Sequence, residues 1–316
     1  MTKKDSTTKT PGNGEKTDAL ATRAETQLSP EAAAFEEVRV SVIGRITDVM
    51  DTVDDEKELT RIRDLIGSAN PVKKGREEMD AKWAMPSIRI AQGVTKEKPD
   101  TAKLGDLFDT NGYVHPQPLK VAPLYVYGAN RMFPSKGAKA PICFAPDAKL
   151  GSTFGPCNKC KNYPIGLNST GDITDCDNGV CFVVMSEELM LYRIEFYRTS
   201  RKAGLKFDSL ANASKDAYWD RWFNINSDKQ TSDSNEWYIF KVGVSGEDTP
   251  AHVRQVCDAL YDMIRHNREV EIKKHYNRVL GGDKALEEVK ETGSIDDGDG
   301  ASPGEDDNPD LSSGTI

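Results

Sequence analysis

Histidine is scarce: the 316-residue chain has four, His115, His252, His266 and His275, scattered along it. No His-Glu-x-x-His motif can be assembled from them, and neither a Walker loop nor a Gly-x-Ser-x-Gly elbow occurs. A zinc deaminase needs His-x-Glu ahead of Pro-Cys-x-x-Cys. Pro156-Cys157-Asn158-Lys159-Cys160 is there, but the His-x-Glu is not. These absences predict a protein that is not an enzyme. No apolar run approaches the roughly twenty residues of a membrane span. Met1-Thr2-Lys3-Lys4-Asp5 opens a polar stretch without the apolar core of a signal peptide. A soluble, cytoplasmic chain with reduced thiols and no membrane partner is expected. No repeat at a fixed period is found.

What the chain does have is a concentration of cysteine. Five of its six cysteines lie between Cys143 and Cys181. Cys157 and Cys160 form a Cys-x-x-Cys knuckle led in by Gly155 and Pro156, and Gly166, Asn168, Gly171, Asn178 and Gly179 supply turns around it. Thiolates two residues apart on a tight turn reach one small cation, and a second pair from a distant turn completes a tetrahedron. With no histidine in the window, the pattern predicts a structural, all-cysteine Zn2+ site with no open position for a catalytic water. Disulfides fit a reduced compartment poorly, and a thioredoxin-like site would need a βαβ neighbourhood that is missing. Cys157, Cys160 and Cys176 belong to every version of the site. The fourth ligand is Cys143, which follows Pro141-Ile142, or Cys181, which opens the apolar run Cys181-Phe182-Val183-Val184-Met185. In such a run a cysteine also serves as a small hydrophobe.

Composition divides the rest. With 37% hydrophobic residues the chain can bury a real core. Residues 1–33 lack apolar periodicity and are expected to be disordered. Residues 34–80 read as a helical segment: Ser29-Pro30 suits a helix start, Phe35, Val38, Val42, Ile46, Val49 and Val53 make one stripe, and Leu59, Ile62, Leu65 and Ile66 make a second. Residues 83–248 read as a β core carrying the zinc insertion at 143–181. The strands are Ser87–Ala91, Leu119–Tyr127 continuing to Phe133 with a bend at Gly128, Val180–Met185, Met190–Tyr197 and Trp237–Val244, with a helix from Ser200 to Leu210 among them. Five or six strands that must close their edges suit a Greek-key barrel of the OB type. Residues 249–282 read as a C-terminal helix capped by Thr249, with Cys257 in its buried stripe and a basic stretch near its end. Residues 283–316 read as a disordered acidic tail. Glu291–Ile316 hold eight acidic residues and no Lys or Arg, so this segment accounts for nearly all of the net charge of −9.

The body is therefore close to neutral and can carry a basic face. A groove that tracks an unpaired nucleic acid needs cations for phosphates and ring faces for bases. Tyr125, Tyr127, Arg131, Phe133, Lys136 and Lys139 cluster before the cysteine window, Lys159 and Lys161 lie within it, and Tyr192, Arg193, Tyr197, Arg198, Arg201 and Lys202 follow. Alternation puts Tyr125 and Tyr127 on one strand face. Some aromatics must be core, with Phe196 and Trp237 first. A tethered polyanion such as the tail competes for a basic groove and is released to partners when the groove fills. The competing reading is a zinc-ribbon interaction protein or transcription adaptor.

These residues resemble phage-type single-stranded DNA-binding proteins. The resemblance rests on Ile88-Arg89-Ile90-Ala91-Gln92-Gly93, on Gly105-Asp106, and on the series Cys143, Gly151, Cys157, Cys160 and Cys176, and covers roughly residues 84–245. It implies a mainly β fold with flanking helices, an OB-type Greek-key barrel with an inserted structural zinc site, and Cys143 rather than Cys181 as fourth ligand. It implies a protein that coats unpaired DNA during phage replication, recombination or repair in the host cytoplasm, recruiting replication or recombination proteins through its tail. Cys181 is additional to the pattern, and the tail ends Ser312-Ser313-Gly314-Thr315-Ile316 where bacterial relatives end in acidic residues and an aromatic.

Overall fold

Apolar stripes at helical spacing produce two N-terminal helices, α1 (Pro30–Met50) and α2 (Glu56–Ala69). The computed structural model describes residues 30–69, 85–93, 95, 97–134, 140–162, 176–214, 216–232 and 235–281. The chain before Pro30, the expected core start near Trp83, Lys136, Lys139 and the acidic tail lie outside the described residues. Helix α1 begins inside the segment 1–33 expected to lack structure. Its Val42, Ile46 and Val49 are buried, as are Ile62 and Leu65 of α2. Asp55 caps α2, its Oδ1 accepting the backbone N–H of Lys57 at 2.8 Å and of Glu58 at 3.2 Å.

The β core is one nine-stranded sheet made of β1 (Ser87–Ile90), β2 (Leu107–Asp109), β3 (Val114–His115), β4 (Leu119–Met132), β5 (Cys143–Ala145), β8 (Cys176–Ser186), β9 (Leu191–Phe196), β10 (Arg221–Ser232) and β11 (Asn235–Asp248). Its order is β11-β10-β4-β8-β9-β1-β2-β3, with β5 on the far end of β4. All pairings are antiparallel except β1 with β9. A separate two-stranded ladder joins β6 (Leu150–Gly151) to β7 (Gly155–Pro156).

Period-two alternation gives the sheet two buried faces. Val121, Phe182, Val184, Ile194, Phe196, Phe223 and Ile225 point to the inside of the curl, where α3 (Arg201–Asn212) inserts Phe207. The Phe207 ring stacks on Phe182 at 4.3 Å and meets Phe223 edge-on at 5.1 Å. Ala122, Leu124, Val183, Met185 and Leu191 point outward and are covered by α1, α2 and α4 (Ala251–Leu280), which contributes Val256, Leu260, Met263 and Ile264. Cys257 of α4 is fully buried there.

The sheet curls into a half-barrel whose edges approach without pairing as strands. Gln92 bridges the gap. Its Nε2 donates to the Tyr238 carbonyl at 2.5 Å and its Oε1 accepts the Tyr238 N–H at 2.9 Å, so one side-chain amide imitates a ladder rung between the β1 end and β11. Gln117 does similar work next door, donating to the Gly105 carbonyl at 2.9 Å and accepting the Ser227 N–H at 2.8 Å. Gly105 sits at φ +88, and a Cβ there would overlap the Tyr238 ring.

Several sequence expectations are corrected. The expected five or six strands become nine in the main sheet, and β10 is the principal one missed. Its polar alternation (Asn224, Asn226, Asp228, Gln230) resembles a loop, yet Trp222, Phe223 and Ile225 are buried. The irregularity in β4 falls between Pro123 and Tyr125 rather than at Gly128. Thr249 does not cap α4; its hydroxyl donates to the Trp219 carbonyl at 2.5 Å, and Pro250 occupies the cap position. Phe196 is fully buried as expected, whereas Trp237 is half-exposed on the β10–β11 arm.

Candidate nucleic-acid interface and cysteine cluster

The parallel pairing of β1 with β9 leaves an open cleft toward β11. Ser87, Arg89, Gln92, Arg131, Arg193, Glu195, Tyr197, Ser200 and Tyr238 line it, with Ile88, Ile90 and Phe240 at its apolar base. Strand alternation explains the grouping: Arg193, Glu195 and Tyr197 are two apart at the end of β9, and Arg131 reaches them from β4. The Arg131 guanidinium lies 3.4 Å from the Tyr197 ring centroid. Arg131 and Arg193 share Glu195 at 3.4 and 3.1 Å. Arg198 donates to Asp177 at 2.6 Å, and Arg131 reaches the same carboxylate at 3.9 Å. Arg201 Nε donates to the neutral Asn178 Oδ1 at 2.8 Å. Four guanidiniums thus face two carboxylates, and the rim keeps an excess of positive charge. Arg89 on the opposite wall is exposed and pairs with Glu97 at 2.5 Å. Arg198 holds its place with a left-handed backbone, φ 50, which costs an arginine on the order of 1 kcal/mol.

The expected contact residues divide. Arg131, Arg193 and Tyr197 line the cleft, with Arg198 and Arg201 at its edge, and Phe133 lies beside Arg131 at 5.5 Å. Lys202 is exposed on α3. Lys159 and Lys161 are exposed on the cysteine unit. Tyr192 is corrected: it is 6% exposed, points into the curl and packs edge-on against His115 at 5.1 Å. Tyr125 and Tyr127 do share a face, but that face lies toward α4. Tyr125 is 6.1 Å from the Tyr261 ring, and the Arg268 guanidinium covers Tyr127 at 3.9 Å. Burial raises the phenol pKa of both tyrosines. Tyr197 is buried against Cys181 and Ala129 and offers the cleft only what Arg131 leaves uncovered. Arg89 and Tyr238, which sequence reasoning did not select, complete the cleft. Their signals were Arg89's outward place in the alternation of β1 and Tyr238's place on the Phe240–Val242 face of β11, at the open end of the interior core.

The cysteines separate cleanly. Cys143, Cys157, Cys160 and Cys176 line one small cavity with Asn130, Met132, Gly151 and Phe154. Two of them arrive from paired strands, since Met132 of β4 faces Cys143 on one side and Cys176 on the other. Cys157 opens a single 3-10 turn, Cys157–Lys159, and Cys160 donates its N–H to the Cys157 carbonyl at 3.1 Å. Gly151 leaves room for the Cys143 Sγ, where a Cβ would meet the sulfur. Burial pushes the Cys176 thiol up to about 12, and the neighbouring Cys157, Cys143 and Cys160 push in the same direction. Burial likewise raises Cys157, while Asn130 opposes it by hydrogen bonding. Cys181 lies elsewhere, in the small core with Ala129 and Tyr197. Among the described residues no group of three or more His, Cys, Asp or Glu side chains is arranged to hold a metal ion. The donor chemistry of the four-thiol cavity is nevertheless that of a closed zinc site.

Helix α4 braces this unit. Arg268 Nη2 donates to the Pro146 carbonyl at 2.8 Å, a His275 ring nitrogen lies 2.9 Å from the Leu150 carbonyl, and the Tyr276 hydroxyl donates to Asp147 at 2.5 Å. Arg268 and His275, part of the basic stretch near the end of α4, are thus buried against the cysteine unit. No helix among the described residues is long and apolar enough to cross a membrane. Comparison with family models, with curated proteins and with solved structures finds no match in any of the three.

Proposed function

We propose that this chain binds single-stranded DNA along the cleft between β1, β9 and β11, and that the curled sheet is a variant of the OB-type barrel closed by side-chain amides. The observation that carries the reading is the cationic rim: among the described residues Arg131, Arg193 and Arg198 pair with Asp177 and Glu195, and Arg201 bonds the neutral Asn178. An unpaired strand brings phosphates to such a rim and bases to adjoining rings. Half-exposed Tyr238 and Phe133, rather than Tyr192, are the ring faces available to it. Zn2+ held by Cys143, Cys157, Cys160 and Cys176 would neutralise four thiolates and cross-link a loop-rich insertion. The acidic residues of Glu291–Ile316 would compete for the rim and, displaced, become available to replication or recombination proteins.

Fluorescence anisotropy with oligo-dT tests the reading. Binding should weaken steeply with salt. The double variant Arg198→Ala, Arg201→Ala should lose roughly tenfold in affinity at low salt and flatten the log–log salt slope by about 1.4, the share of two phosphates. No binding at low salt, or a slope indifferent to both arginines, rejects it.

A further inference from the structure

Eight large hydrophobic side chains are exposed among the described residues, and two of them, Ile142 at 40% and Phe154 at 43%, belong to the cysteine unit. Single exposed apolar residues are ordinary. This pair is fixed in place. Ser152 donates its N–H to the Phe144 carbonyl at 2.9 Å and accepts the Phe144 N–H on its hydroxyl at 3.0 Å. The Thr153 hydroxyl donates to the Ile142 carbonyl. The turn between β6 and β7 is therefore strapped to β5, and the next residue, Phe154, is presented outward at the mouth of the thiol cavity.

The charges along residues 140–162 are predominantly positive. Lys149, Lys159 and Lys161 are exposed, and none is in an ion pair among the described residues. Asp147, the single acid between residues 140 and 162, accepts the Tyr276 hydroxyl on one oxygen and the Lys149 backbone N–H on the other, and three lysines outnumber it. The unit adjoins a strand that lines the cleft: β5 pairs with the β4 end where Arg131 faces the cleft and its neighbours Asn130 and Met132 face the thiol cavity.

We infer that Phe154 is a base-stacking residue, with Lys149, Lys159 and Lys161 meeting the phosphates on either side of the stacked base. The cysteine unit is then a second contact surface for the strand held in the cleft, and the inference rests on the single-strand reading above. A rigid, outward ring amid unpaired lysines is complementary to a polyanion with flat faces; an apolar protein partner would leave the lysines without counter-charges.

Anisotropy with oligo-dT on the full chain, comparing wild type with Phe154→Ala, Phe154→Leu and Phe154→Tyr, tests it. Ala and Leu should each weaken binding roughly 5- to 100-fold, and Tyr, which keeps the π-face, should stay within about twofold of wild type. Phe154→Leu guards against a folding artefact, since it retains apolar bulk. Wild-type affinity in the Leu or Ala variant overturns the stacking role while leaving the cleft reading intact. A wild-type chain that does not bind oligo-dT overturns both.

Discussion

Gln92 is where a single side chain does the work of a strand. Its amide satisfies both backbone groups of Tyr238, and Gln92→Ala would leave a half-buried N–H and C=O without partners. Gln92→Ala should destabilise the fold by about 2 kcal/mol. Gln92→Glu should recover little of that, because a carboxylate keeps the acceptor but cannot donate to the Tyr238 carbonyl. Urea unfolding midpoints check this, and a Glu variant as stable as wild type would mean that the amide donor carries no weight. The tyrosines teach the opposite lesson at this scale. Tyr192 and Arg193 were both expected at the groove, but alternation puts them on opposite faces of β9; nothing in the sequence says which face curls inward, and Tyr192 is the buried one. Tyr127 is on the expected face, but Arg268 comes from a helix more than a hundred residues away to cover it.

Among the elements, the cysteine unit and α4 have to be considered together. The knuckle Cys157–Cys160 is legible from spacing alone, because two thiols on one short turn must converge. The choice between Cys143 and Cys181 is not: both stand at strand ends in the sequence. Pairing decides only which of the two shares the thiol cavity, since β4 lies between β5 and β8 and brings Cys143 and Cys176 to either side of Met132, while Cys181 lies farther along β8 beside Tyr197. Metal analysis of purified variants should therefore find zinc lost in Cys143→Ser and retained in Cys181→Ser, even though the second loses stability through its buried site. Equal zinc content in the two variants would contradict this assignment. Within and beside the basic stretch of α4, Arg268, His275 and Tyr276 fasten the helix to residues 146–150. Helical spacing gives the face on which such residues lie, but not the docking partner of that face.

For the whole molecule the governing quantity is charge distribution. The chain carries −9, nearly all of it within Glu291–Ile316, so the body that forms the half-barrel is close to neutral and its cleft rim is positive. Deleting Glu291–Ile316 should tighten oligo-dT binding at low salt, and the gain should shrink as salt rises, since screening weakens competition between the tail and the strand. An affinity unchanged at every salt concentration would make the segment a solubiliser with no hold on the cleft.

The sequence by itself determined the helices, the buried stripes, the thiol knuckle and the segregation of acidic charge, because each is a matter of local period or spacing along the chain. Only the tertiary structure decided which face of the sheet is interior, which fourth cysteine joins the cavity, and that Gln92 ties the sheet's edges together. Those outcomes depend on contacts between residues far apart in the chain, whose geometry is set by the curl of the sheet and the helices packed against it.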